Sequence, residues 1–306
     1  AVAASKTASV ETAAPTAHQQ KHAVFVAHTS TTTELGRAAA LKNRNNKKRR
    51  ARLGRMSDAP GVSGVSLNGW LHLEEWFYSA DSFYLVDAPE GTTQGTVFPP
   101  KFTDPQSLGF QWASEGDLVS KMQAKHGDDA TIEAFKAHRD EYMQQQDLDK
   151  LKALGYDHVR LPVTWACFFG AENAEEMIVT DPAYPNVKQV TVSRASLNGY
   201  IAKLAAAGLN VLIDVHNMPG GPSFGTYNGV FPNAPKFWDD DNLKAVGRGI
   251  LREMMHWYVG LAPDLKKAIG GFTLLNEPAH LMEDKKESMQ RWYAQAFRDY
   301  RDIVAA

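Results

Sequence analysis

Gly270-Gly271-Phe272-Thr273-Leu274-Leu275-Asn276-Glu277-Pro278 is the stretch from which the fold can be read. A short apolar run bounded by glycine and proline reads as a buried strand, so Gly271 to Leu275 is predicted as strand. Pro278 has no N–H to give to a ladder and marks the end of the pairing. Glu277 is thereby placed at the carboxyl end of a strand. In parallel α/β folds that edge carries the chemistry, because its loops are aimed by a rigid scaffold.

The same punctuation recurs upstream. Val62 to Leu67 is a short β-prone run, followed by a long polar and aromatic excursion and a helical region from Thr131 to Leu154 that Gly155 closes. His158 to Pro162 reads as the second strand. Ser193 is a candidate N-cap for a helix whose apolar face is Leu197, Tyr200, Ile201 and Leu204, stopped by Gly208. Asn210 to Val215 is the third strand. A helix beyond Asp239-Asp240-Asp241 carries Leu243, Val246, Ile250, Met254, Trp257 and Tyr258 on one face, and Ser288 to Val304 repeats the pattern after the fourth strand. Strand, helix, strand, helix predicts parallel strands joined by right-handed crossovers. Ser66-Leu67-Asn68-Gly69-Trp70 follows the first strand where a dinucleotide fold would show its glycine-rich phosphate signature, which favours a barrel.

Composition narrows the function classes. A chain of 306 residues with 43% hydrophobic content can bury a sizeable core, and a net charge of -2 gives no bias toward nucleic acid. No stretch approaches the roughly 20 consecutive apolar residues that cross a bilayer. The lone Cys167 excludes an internal disulfide framework and a cysteine-based zinc site. Residues 1–56 differ in kind: Ala, Thr, Ser, Gln and His dominate the start, and the basic run Lys47-Lys48-Arg49-Arg50-Ala51-Arg52 follows. They read as a disordered, solvated arm, with a nuclear address, a polyanion patch and a dibasic processing site left open for the basic run. No signal peptide is visible, and the chain starts at Ala1, so a removed targeting segment or a missing start is expected. Oligomeric state is not legible.

Four segments carry a resemblance. They are Val65 to Glu74, Val159-Arg160-Leu161-Pro162-Val163, Leu212 to Gly220 (Leu-Ile-Asp-Val-His-Asn-Met-Pro-Gly), and Thr273 to Pro278. In this order and at strand ends, they resemble the catalytic domain of glycoside hydrolase family 5, within it the exo-β-1,3-glucanase branch. The resemblance covers about Gly61 to Ala306 and implies a (β/α)8 TIM barrel in residues 57–306, a β-glucan substrate, no cofactor, and an extracellular or cell-wall location.

The resemblance also assigns roles. Retaining glycosidases use one carboxylic acid to protonate the leaving oxygen and a second carboxylate about 5 Å away to attack the anomeric carbon. Glu277 resembles the acid/base and Asn276 the amide that binds the sugar 2-hydroxyl. Arg160 stands where the family keeps an arginine near the nucleophile, although a salt bridge in the barrel mouth has the same geometry. His216 resembles a sugar-binding histidine, and Glu74 a carboxylate for the terminal sugar, with Glu75 as its competitor. Asn228 is a weaker carry-over. Of the aromatics near the active edge, Trp70, Trp76, Phe77, Trp165 and Phe168, Trp165 is the expected wall of the site. The stretch Ser79 to Asp129 is expected to cap or flank the pocket, or to be a passive insertion.

Only four strands can be counted, and no strand-end carboxylate follows Glu277, since Glu283, Asp284 and Glu287 read as a solvated helix start. The expectation is therefore an α/β barrel truncated after about four β/α units, the amino-terminal half of a larger enzyme, with its nucleophile outside this chain. A noncatalytic carbohydrate-binding remnant is the alternative. A metal-dependent hydrolase using Asp214, His216 and Glu277 is a third reading, weakened by the lack of a paired-histidine motif.

Overall fold

The computed structural model describes residues 62–78, 102–103, 105–170, 174–279 and 282–305. The amino-terminal arm, its basic run, and residues 79–101 and 104 of the stretch Ser79 to Asp129 lie outside the described residues, as does the side chain of Trp76.

The strands are β1 (Gly64–Ser66), β2 (His158–Val163), β3 (Ile178–Asp181), β4 (Tyr184–Val190), β5 (Asn210–Val215) and β6 (Ile269–Thr273). The longer helices are α1 (Glu115–His126), α2 (Asp128–Tyr142), α3 (Gln145–Ala153), α4 (Arg194–Ala206), α5 (Asp241–Gly260), α6 (Pro263–Ala268) and α7 (Lys286–Val304). Strands β1, β2, β5 and β6 form one sheet in that spatial order, and each neighbouring pair is parallel. Helices lie between successive strands of this sheet in the chain, as the strand-helix alternation predicts.

Alternation along the strands decides what faces what. Val159, Leu161 and Val163 of β2 and Val211, Ile213 and Val215 of β5 are buried in the main core. With them lie Leu197, Ile201 and Leu204 of α4, Ile250, Leu251, Met254 and Met255 of α5, and Trp292 and Ala296 of α7. Each such aliphatic side chain contributes about 1.5–3 kcal/mol when fully buried. The intervening residues point to the opposite face, so Arg160 and Asp214 leave the core.

Local signals explain the element ends. The Ser193 side chain accepts from Ser196 N, and the Asp240 carboxylate accepts from Asn242 N and Leu243 N, each satisfying first-turn donors.

Two expectations need correction, and two features were not foreseen. The fourth strand is Ile269–Thr273, not Gly271 to Leu275: pairing with β5 begins at Ile269, and Leu274 and Leu275 already leave the ladder. The helical region Thr131 to Leu154 is two helices, because Met143 is extended and Gln144 starts α3 with a reciprocal capping box to Asp147. Within the stretch Ser79 to Asp129, helix α1 capped by Ser114 was not foreseen. The antiparallel hairpin β3–β4 was not foreseen; its turn is held by Asp181 Oδ1, which accepts from Ala183 N at 2.8 Å. Helix α1, α2 and β4 build a second core from Leu73, Leu108, Trp112, Leu118, Val119, Met122, Phe135 and Val190.

Candidate active site

Sheet register assembles the site. Pro162 stands opposite Asp214, and Asp214 opposite Thr273, while Arg160 lies one row below beside Leu212 and Ser66. His216 follows β5 directly and its N–H donates to Val163 O at 2.9 Å. Asn276 N donates to Val215 O at 2.9 Å, which holds Asn276 beside the end of β5 although its own strand has ended.

Four charges alternate across this edge. Arg160 Nη2 donates to Asp214 Oδ2 at 2.8 Å. The same oxygen lies 2.7 Å from His216 Nδ1, and His216 Nε2 lies 3.6 Å from Glu74 Oε1. Burial opposes a charge on His216, but its hydrogen bonds to Asp214 and Glu74 outweigh it and push the imidazole pKa up to about 9. Burial likewise opposes ionisation of Asp214; His216, Arg160 and the Thr273 hydroxyl overcome it and hold the carboxyl below its ordinary range. Arg160 has donors only, so its 2.7 Å contact fixes Asn276 Oδ1 toward itself and turns Nδ2 to His216, 3.3 Å from Nε2. With an imidazolium the Nε2 proton belongs to Glu74, and the Asn276 amide N–H is disposed to donate to an oxygen of a bound ligand.

Glu277 stands beyond this row with φ 37°, the one positive value at a non-glycine residue among the described residues. Such a conformation costs on the order of 1 kcal/mol and is kept where surrounding structure enforces it. Glu277 Oε2 accepts from the Tyr227 hydroxyl at 2.7 Å. Burial, reinforced by the Glu277 carboxylate, pushes the Tyr227 hydroxyl well above its ordinary range, so it stays a donor.

The structure brings Arg160, His216, Asn276 and Glu74 together. Glu74 is 4% exposed and also accepts from Asn68 Nδ2 at 2.9 Å, whereas Glu75 starts a single helical turn, Glu75–Tyr78. Of the two carboxylates, Glu74 reaches the site. Arg160 is joined to Asp214 and Asn276, a geometry that both of its sequence readings share. Asn228 is occupied by its own loop: Oδ1 accepts from Val230 N at 2.8 Å and Phe231 N at 2.9 Å, and Nδ2 donates to Ser223 O. Trp165 is not an open wall. It is 1% exposed in the main core, with its ring edge-on to Phe169, and all four residues of the turn Trp165–Phe168 are buried. Trp70 and Phe168 are core residues as well. Cys167 is buried, and burial raises its thiol pKa, which leaves it unreactive.

Sequence reasoning missed Tyr227 and the buried pair behind it. His72 Nε2 lies 3.1 Å from Tyr227 O, His72 Nδ1 lies 3.3 Å from Glu115 Oε2, and Glu115 accepts from Leu73 N. Glycines at 225 and 229 around Tyr227-Asn228 were the available signal for a shaped loop. Among the described residues no group of three His, Cys, Asp or Glu side chains is placed to hold a metal. Asp214 and His216 are bonded to each other instead. No helix among the described residues is long and apolar enough to cross a membrane.

Comparisons with known proteins place the chain in a family. The family model described as Cellulase (glycosyl hydrolase family 5) matches residues 124–305. A probable glucan endo-1,6-beta-glucosidase B of Aspergillus flavus is 25% identical over 201 residues, 63% of this chain and 45% of that protein. Glucan 1,3-beta-glucosidases of Blumeria graminis and Candida oleophila are each 24% identical, over 76% and 79% of this chain and 44% and 48% of their own lengths. The chain thus spans about half the length of the curated relatives it matches. The crystal structure of rutinosidase from Aspergillus niger superposes with a TM-score of 0.54 at 14% identity, covering 79% of this chain and 60% of that one, a likeness of fold and of the TIM-barrel-like α/β type. With more than half its residues matched by the family model and a parallel sheet that brings Arg160, His216, Asn276 and Glu277 to one edge, the chain belongs to glycosyl hydrolase family 5.

Proposed function

We propose that this chain is the acid/base-bearing part of a retaining glycoside hydrolase acting on β-glucan, with β-1,3-linked glucan favoured. Glu277 protonates the glycosidic oxygen as the bond to the anomeric carbon breaks, and in the second step, as carboxylate, takes a proton from the attacking water. Asn276 donates to the sugar 2-hydroxyl, and Glu74 with His216 receives the hydroxyls of the terminal ring. The observation that carries this reading is Glu277 held at positive φ beside the end of the parallel sheet, next to an amide oriented by Arg160.

The nucleophile and the strands that complete a (β/α)8 barrel are supplied, in this reading, by sequence outside these 306 residues. Two observations favour it: β1 and β6 are edge strands of the four-stranded sheet, and the matched relatives are about twice as long as the region they share with this chain. The names of those relatives, glucan 1,3-beta-glucosidase and glucan endo-1,6-beta-glucosidase, support a glucan substrate.

The test is Glu277→Gln in the full-length protein, assayed on laminarin-like glucan and on aryl β-glucosides. Turnover is expected to fall by orders of magnitude on glucan and less on aryl glucosides with good leaving groups, which need little protonation. Equal activity of variant and parent on glucan rejects the assignment.

A further inference from the structure

We propose that Tyr227 is a positioning residue for Glu277, delivered by a loop built for that purpose; the inference rests on Glu277 being the acid/base. The Tyr227 hydroxyl donates to Glu277 Oε2 at 2.7 Å, which holds the orientation of the carboxyl group at the end of the sheet. A donor aimed at a carboxylate favours its ionised form. That form arises when Glu277 has given its proton to the leaving oxygen, and it is the form that must next deprotonate water. The Tyr227 hydrogen stays on its own oxygen through both steps.

Three features show that the hydroxyl is placed rather than accidental. Gly225 has φ 135°, and a Cβ there would strike the Tyr227 ring at Cε1, so glycine makes the space into which the ring folds back. The ring stands edge-on to His216 of the charged row with centroids 6.1 Å apart, and the Tyr227 carbonyl lies 3.1 Å from Nε2 of the buried His72. The loop is also braced from outside the sheet. Ser114 Oγ, at the start of α1, donates to Phe231 O at 2.7 Å, and Gly116 packs so closely against Gly229 O that no Cβ fits between them. The segment between β1 and β2 therefore supports the loop that presents Tyr227.

The experiment compares full-length parent, Tyr227→Phe, Gly225→Ala and Glu277→Gln on phenyl and 2,4-dinitrophenyl β-glucosides across pH. Tyr227→Phe is expected to lower kcat about 30-fold, the loss of one hydrogen bond to a charged group, with KM little changed. The fall is expected to be larger on the phenyl glucoside than on the 2,4-dinitrophenyl glucoside, whose leaving group needs little protonation. Gly225→Ala, which displaces the ring and leaves the hydroxyl in the chain, should reproduce both effects. An unchanged kcat in Tyr227→Phe, or an equal fall on the two glucosides, overturns the proposal while an inactive Glu277→Gln leaves the acid/base reading standing. Full activity of Glu277→Gln removes that reading, and the proposal with it.

Discussion

His216 Nδ1 and Asp214 Oδ2 lie 2.7 Å apart, both side chains buried, and each shifts the other toward its charged form. Arg160 on one side and Glu74 on the other extend the pair into a row of alternating charges. Charges taken from water are retained only when partnered in this way, and the row sets how stability and site geometry respond to change.

The pH dependence of stability follows from this pair. His216 has a folded pKa of about 9, above its unfolded value near 6.5, so its contribution is full below about 6.5 and is lost as pH rises through about 9. Asp214 is depressed, so its contribution is present above about 3.8 and is lost as pH falls through its folded value. The pair therefore favours the fold most between about pH 4 and 6.5. Thermal unfolding of the parent should show a decline in Tm above that window worth on the order of 3 kcal/mol by pH 10, and Asp214→Asn should flatten that decline. A parent Tm unchanged from pH 6 to pH 10 contradicts the charge assignment.

Arg160 serves two partners with one nitrogen. Arg160→Lys keeps the charge but loses the planar fork, so Asn276 is no longer oriented. Activity on glucan should fall at least tenfold, with a stability loss of about 2 kcal/mol, below the range for fully buried pairs because Arg160 keeps 29% exposure. Denaturant unfolding and kcat/KM measured together check both.

Backbone strain at Glu277 predicts an opposition between stability and activity. Glu277→Gly removes the cost of φ 37° and, on the proposed acid/base role, abolishes activity, so its Tm should equal or exceed that of Glu277→Ala, by about 1 kcal/mol in unfolding free energy. A glycine variant less stable than the alanine variant argues against strain at this residue.

Gly116→Ala tests the brace at a distance. Its Cβ meets Gly229 O and Val187 Cγ1, so the loop bearing Tyr227 must shift. Expected are a cost of about 1–3 kcal/mol and a fall in kcat, although residue 116 touches none of the reacting groups. Full activity in a folded variant indicates a loop positioned from elsewhere.

The strand and helix order was legible because its signals are local. Ser193 and Asp240 announce their helices through a side chain that caps the next turn, and Asn210 to Val215 is strand in sequence and structure alike. Local patterns failed where the deciding interaction was elsewhere. The start of β6 depends on pairing of Ile269 with Val211 across the sheet, and the break at Met143 on a capping box with neither glycine nor proline to mark it. Trp165 looked like a surface aromatic because sequence does not say that its turn folds into the core.

What the sequence determined by itself is the alternation of parallel strands with helices, and with it the edge at which Arg160, His216, Asn276 and Glu277 appear, since strand ends follow from hydrophobic period and from Gly and Pro. Only the tertiary structure decided which groups touch there. Arg160 and Asn276 are 116 residues apart, Tyr227 and Glu277 50 apart, and Glu115 reaches Leu73 across 42. Contacts of that span are set by sheet register and loop bracing, and no local pattern in the chain encodes them.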